Sequence, residues 1–177
     1  MKYHATTILG LIHNGQAAIA GDGQVSFDDT ILKGKANKIR TMYDGKILTG
    51  CAGTAAEALA LFELLEKKID EFEGNLPRAA VELAKDWRTD KVLQKLEAIM
   101  AVLDKDHIFL VSGTGDVIEP DDGIIAIGSG GTFALAAARA FIVANPKMSA
   151  KKVAEESLKI AADICIYTNH NINVETL

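Results

Sequence analysis

The chain sets short apolar runs that suit strands beside longer stretches whose apolar side chains recur at helical spacing. Residues 6–12 and 16–21 flank Asn14-Gly15, a pair that readily takes the positive φ values of a two-residue hairpin turn. Residues 37–43 and 46–52 flank Asp44-Gly45 in the same way. Thr54 and Glu57 stand at capping-box spacing, where each side chain satisfies a free N–H of the other's backbone. They open a helix carrying Phe62, Leu65, Ile69 and Phe72 on one face, and Gly74 stops it. A second helix is predicted from about Pro77 towards Ala98, with Val81, Ala84 and Trp87 turned inward. Strands return at 99–103, 107–112 and 124–128, with a turn at 113–115. Helices at 132–144 and 150–167 and a last strand near 172–174 complete the pattern. Blocks of strands separated by blocks of helices predict a layered α+β domain, two sheets face to face with helices outside, and not alternating βαβ units.

The hairpin turns also fix which residues lie opposite one another. Counting back from Asn14-Gly15 pairs His13 with Gln16 and Thr7 with Asp22, so Asp22 reaches the same sheet end as Thr6. Gly21 and Gly23 on either side of Asp22 would permit a bulge that re-aims its carboxylate. Counting back from Asp44-Gly45 pairs Tyr43 with Lys46, Lys38 with Cys51 and Ile39 with Gly50.

That geometry matters because of Thr6. Inside a chain a threonine hydroxyl is a poor nucleophile, since no attached base takes its proton. Removal of a five-residue leader, residues 1–5, would give Thr6 a free α-amine with an unperturbed pKa of roughly 8, and one residue would then supply nucleophile and base. Lys38 is a candidate cation to depress the pKa of that amine and hydroxyl. Gly50 suits an oxyanion donor, because a backbone N–H without a side chain admits close approach. Gly128-Ser129-Gly130-Gly131 precedes a helix but lacks the Gly-Lys-Ser/Thr of a phosphate loop, so Ser129 reads as a hydrogen-bonding partner for the new N-terminus. Read one at a time, Thr6 and Lys38 better suit a strand threonine and a solvated lysine, and Asp22 suits a turn aspartate; only together do they point to catalysis.

Composition narrows the class further. At 177 residues and 18.9 kDa, with 49% hydrophobic residues, the chain builds one domain with a substantial core. A mean hydropathy of +0.14 alongside 24% charged residues leaves apolar surface for self-assembly. A formal charge of −5 and a pI near 5.4 argue against nucleic-acid binding. No apolar run approaches the roughly 18 residues of a membrane span, and the leader has no apolar h-region. Cys51 and Cys165 each sit in an apolar run, as buried thiols of a reducing compartment would, so a cytoplasmic protein is expected. His4, His13, His107 and His170 show no metal-ligand spacing.

Taken in order and spacing, several tracts resemble the HslV (ClpQ) family of bacterial proteasome-like peptidases. They are Thr6-Thr7-Ile8, Ala20-Gly21-Asp22-Gly23-Gln24, Leu32-Lys33-Gly34, residues 79–90 around Asp86-Trp87-Arg88, residues 126–131, and residues 163–169. The resemblance covers residues 6–177. It implies the four-layer αββα sandwich of the N-terminal-nucleophile hydrolases and a threonine endopeptidase. By it, Thr6 corresponds to the nucleophile, Asp22 and Lys38 to its supporting pair, Gly50 to the oxyanion donor and Ser129 to the residue near the amine. It also implies a sodium ion on the backbone carbonyls of Ala162, Cys165 and Thr168, at the end of the last helix where carbonyls lack partners. Ala162 stands where the family has glycine, a change of little consequence unless the backbone there needs φ > 0. Many relatives lose only the initiator methionine, whereas here residues 1–5 must go, so self-processing of a zymogen is expected. The family further implies a double hexameric ring, allosteric control, an HslU-type AAA+ ATPase partner and unfolded protein substrates, with no nucleotide bound by this chain. A small-molecule amidase of the same fold and a non-catalytic ring scaffold are the competing readings.

Overall fold

The protein is described from a computed structural model that covers residues 3–4 and 6–177, with side chains from Thr6 onward. The bond after Ala5, where the leader is expected to end, lies outside the described residues. Strands β1 (Tyr3–His4), β2 (Thr7–His13), β3 (Gln16–Gly21), β4 (Val25–Phe27), β5 (Thr30–Lys33), β6 (Ile39–Met42) and β7 (Ile47–Ala52) come first. Helices α1 (Ala55–Glu71) and α2 (Leu76–Thr89) follow, then a 3-10 turn at Leu93–Lys95. Strands β8 (Ile99–Leu103), β9 (Ile108–Ser112), β10 (Val117–Ile118) and β11 (Ile124–Gly128) lead to α3 (Gly131–Ala144), α4 (Ala150–Ile164) and β12 (Asn173–Thr176).

Strands β1, β4 and β5 form a small sheet of their own, and the other elements form four layers. An antiparallel sheet in the order β11-β2-β3-β12 faces a second in the order β10-β9-β8-β7-β6. Alternate residues of both sheets, among them Ile8, Ile19, Ile39, Leu48, Leu103 and Ile127, fill the space between them. Helices α1 and α2 cover the outer face of the five-stranded sheet through Leu65, Leu83 and Trp87. Helices α3 and α4 cover the four-stranded sheet through Ala134, Ala138, Val153 and Leu158. The small residues on α3 let it lie close to the sheet. This is the αββα sandwich the sequence predicts.

Both hairpins hold the expected register. His13 lies opposite Gln16 and Ile39 opposite Gly50, and Asn14 (φ 52°) and Gly15 (φ 72°) make the first turn. The capping box is formed, with the Thr54 N–H donating to the Glu57 carboxylate at 2.7 Å.

Four local expectations are corrected. The second helix stops at Thr89, because Asp90 turns extended and its carboxylate accepts the N–H groups of Val92 (2.7 Å) and Leu93 (3.0 Å), starting the 3-10 turn. Val81 is 40% exposed, since the buried stripe of α2 runs through Ala80, Leu83 and Ala84 instead. The last helix ends at Ile164 and not at 167, with Cys165 extended. No bulge interrupts β2 and β3 beside Asp22, and the register shift lies between Val25 and Ser26. Strands β4, β5 and β10 are too short or too exposed to stand out as apolar runs.

Candidate active site

Asp22 follows β3 directly and is fully buried. A buried carboxylate is costly unless its oxygens are paired and hydrogen-bonded, and here both are. Oδ1 accepts from the Lys38 ammonium at 2.7 Å and from the Thr7 N–H at 2.8 Å. Oδ2 accepts from the N–H groups of Gln24 (2.9 Å) and Asn169 (3.3 Å). The Asp22 N–H returns a bond to the Thr7 carbonyl at 3.1 Å, which extends the β2–β3 ladder by one pair. The side chain therefore reaches across its own ladder without a bulge.

Lys38 immediately precedes β6, and its side chain is 8% exposed. Burial pulls its pKa below the ordinary lysine range, partly opposed by the charge and hydrogen bond of Asp22. A lysine held in this way responds readily to its surroundings, unlike one in water.

Thr6 is 6% exposed and precedes β2. Its carbonyl accepts from the Ser129 N–H at 2.8 Å. Ser129 thus meets Thr6 through its backbone, in the turn between β11 and α3. Gly128 must be glycine there: it has φ +86°, and a Cβ on it would lie 1.9 Å from the Thr6 carbonyl oxygen. A cavity of about 790 Å³ opens beside these groups, with Thr6 and Lys38 in its lining. Cys51 from β7 and Ala55, Leu59 and Phe62 from α1 supply an apolar wall, and the Arg40 guanidinium stands 4.6 Å over the Phe62 ring. Burial, reinforced by Glu57, pushes the Cys51 thiol up to about 12, so it stays protonated near neutrality.

Gly50 lies in β7 opposite Ile39 and Ala101. A Cβ there would come within 2.8 Å of the Ile8 side chain, so packing between the sheets already requires glycine. It is absent from the cavity lining, which includes its neighbour Cys51.

The carbonyls expected to hold sodium belong to Ala162 in the last turn of α4, Cys165 at its C-cap and Thr168 in the loop beyond, whose hydroxyl pairs with that of Thr7. The Ala161 carbonyl accepts from Cys165 N–H at 2.8 Å, so Ala162 is the first of the final turn without a helical acceptor role. Cys165 accepts one bond, from the Thr168 N–H at 3.0 Å, and keeps a second lone pair. Ala162 is helical and has no positive φ, so its substitution for glycine strains nothing. Backbone carbonyls are hard oxygen donors, the ligand type that hard cations take. Among the described residues, no cluster of His, Cys, Asp and Glu suits a metal ion.

The roles of three side chains were missed from sequence. The Thr7 hydroxyl accepts from the Gly130 N–H at 2.9 Å and pairs with the Thr168 hydroxyl at 2.7 Å, so both side chains fasten the strand behind Thr6. Asn169 bonds to Asp22 and Gly23 over more than 140 positions of sequence, a distance that no local pattern encodes.

The chain is similar to known proteins along nearly its whole length. The family model described as proteasome subunit matches residues 2–177. A protein named ATP-dependent protease subunit HslV from Geobacillus sp. (strain WCH70) is 58% identical, over 99% of each chain. Its namesake from Brevibacillus brevis is 54% identical over 99% of this chain and 98% of its own. Among solved structures, eukaryotic HslV from Trypanosoma brucei matches with a TM-score of 0.91 at 44% identity, covering 97% of this chain and 98% of that one. Thiobacillus denitrificans BPH shares the fold alone, with a TM-score of 0.73 at 20% identity over 97% of each chain. A family model that matches nearly the whole chain, with relatives this similar throughout their length, places this protein in the proteasome-subunit family, among the HslV peptidase subunits of ATP-dependent proteases.

Proposed function

We propose that this subunit is a threonine endopeptidase whose nucleophile is Thr6, freed by loss of residues 1–5. The observation that carries the reading is the buried Asp22–Lys38 pair at 2.7 Å, bonded to the residue next to Thr6 and bordering the cavity that Thr6 lines. The Thr6 α-amine takes the hydroxyl proton as the oxygen attacks a peptide carbonyl. The new ester bond forms as the C–N bond breaks, and the leaving amine carries off the proton. Water then hydrolyses the ester with the amine again as base. Lys38 lowers the pKa of amine and hydroxyl, and Asp22 fixes Lys38 in place. The Gly50 N–H is the proposed donor to the oxyanion, and Ser129 attends the N-terminal amine. A sodium ion on the carbonyls of Ala162, Cys165 and Thr168 would supply charge that holds the loop after α4 in shape.

The chain contains no phosphate-binding loop, so energy for unfolding comes from outside it. The proposed partner is an HslU-type AAA+ ring, feeding unfolded protein into a double hexamer of this subunit in the cytoplasm. Among the described residues no helix is long and apolar enough to cross a membrane. Activation by such a partner requires that it bind the competent arrangement of Thr6 and Lys38 more tightly than the resting one.

The test is turnover of a small peptide, an unfolded protein and a folded protein by the purified ring, with and without HslU and ATP. Slow peptide cleavage alone, strong stimulation by the partner with ATP, and folded-protein degradation only with both are expected. Degradation of a folded substrate by the ring alone contradicts the dependence. Turnover of small amides with no action on unfolded protein would favour the amidase reading.

A further inference from the structure

The geometry points to Asn169 as a positioning residue that sets where Lys38 stands relative to Asp22. Lys38 ends a segment, residues 34–38, that belongs to no strand or helix, so no ladder fixes its approach. What fixes it is contact with the turn after Asp22. The Ala36 N–H donates to the Gly23 carbonyl at 2.9 Å, and a Cβ on Gly23 would lie 2.6 Å from the Gly34 carbonyl oxygen. Two backbone segments therefore touch, one carrying Asp22 and the other Lys38.

Asn169 joins them. Its Oδ1 accepts from the Gly23 N–H at 3.1 Å and from the Asn171 N–H at 3.1 Å. Its Nδ2 donates to the Gly34 carbonyl at 2.9 Å, and its own N–H donates to Asp22 Oδ2 at 3.3 Å. The amide orientation follows from these partners, since two N–H donors face the oxygen and one carbonyl faces the nitrogen. One side chain thus bridges both segments while its backbone holds the carboxylate. The residue before it, Thr168, ties the same loop to the Thr7 hydroxyl at 2.7 Å.

An aspartate cannot replace this amide. It has the same shape but no donor for the Gly34 carbonyl, and it places a second negative charge beside Asp22. Asp22 is the charged group in contact with Lys38, and Lys33 and Arg40 line the same cavity. With the bridge broken, the Lys38 segment loosens and the ammonium becomes easier to hold charged, for Asn169→Asp by added negative charge and for Asn169→Ala by hydration.

The inference rests on the peptidase reading for its kinetic consequence, but one readout does not. Competitive labelling of the ring with trace acetic anhydride across pH, followed by peptide mass spectrometry, measures the Lys38 titration without any turnover. Asn169→Asp is expected to move that titration to higher pH and to lower kcat on a small peptide at least tenfold, per active site titrated, with KM within twofold. Asn169→Ala, which adds no charge, should act in the same direction and serves if the aspartate variant does not assemble. A role confined to stability would lower the melting temperature and leave both the Lys38 titration and kcat per active site in place. An unchanged Lys38 titration, or kcat within twofold, overturns the proposal. If the unaltered ring shows no turnover that depends on Thr6, the peptidase reading falls and the labelling alone decides the role of Asn169.

Discussion

At the scale of single residues the site is a small electrostatic circuit, and its members predict distinct failures. Thr6→Ala deletes the attacking hydroxyl while leaving β2 and its ladder, so peptide hydrolysis should vanish with the ring intact by size-exclusion chromatography. Thr6→Ser should keep part of the rate, because hydroxyl and amine both survive. Lys38→Ala should lower kcat by several orders of magnitude, since each unit of pKa regained by the nucleophile is worth about 1.4 kcal/mol. It also strands a fully buried Asp22 without its cation, at a cost in stability of about 3–5 kcal/mol, so the rate must be measured on folded protein.

The pH profile follows from the same circuit. The Thr6 amine must be neutral to act as base, so kcat should rise as it loses its proton. Lys38 must be charged to support it, and its pKa lies below the ordinary 10.5, so the alkaline fall should begin earlier than a lysine in water would give. Lys38→Arg, in which the guanidinium stays charged, should shed that alkaline limb while keeping part of the rate. A profile with the limb unmoved would remove Lys38 from the mechanism. The Asp22–Lys38 arrangement was partly legible in the sequence, because two Gly-containing turns fix register and register brings Asp22 to the head of β2. The roles of Thr7, Thr168 and Asn169 were not, because hydrogen bonds between residues 147 or 161 positions apart leave no periodic trace.

At the scale of elements, turns and helix ends place the chemistry. Gly128 ends β11 with φ +86° against the Thr6 carbonyl, so Gly128→Ala must displace the proposed nucleophile, Thr6. Near-complete loss of kcat, with a fall in melting temperature of several degrees, is expected from the strained φ and the clash. Gly50→Ala meets the end of the Ile8 side chain at 2.8 Å, an overpacking worth about 1–3 kcal/mol. The long elements were readable because burial imposes a period: α1 and β8 follow their apolar spacing, and capping by Thr54 and Glu57 fixes where α1 starts. Helix ends set by side-chain competition were harder. Asp90 and Cys165 stop α2 and α4 through local hydrogen bonds that an apolar pattern does not register.

At the scale of the whole molecule, the sandwich leaves apolar side chains in solvent on several edges, among them Ile31 (62% exposed), Val143 (82%) and Ile166 (77%). Enclosing Thr6 within a ring would keep folded proteins from it and make an unfolding partner necessary. All of this turns on one proposal, that loss of residues 1–5 leaves Thr6 with a free amine beside an attacking hydroxyl. A peptide epoxyketone tests that proposal directly, because its cyclic adduct closes only on a hydroxyl and an amine of the same N-terminal residue. Tandem mass spectrometry of the treated ring should find residues 1–5 absent and the adduct on Thr6. A ring that cleaves peptides while keeping residues 1–5, or that carries the adduct elsewhere, would contradict the account.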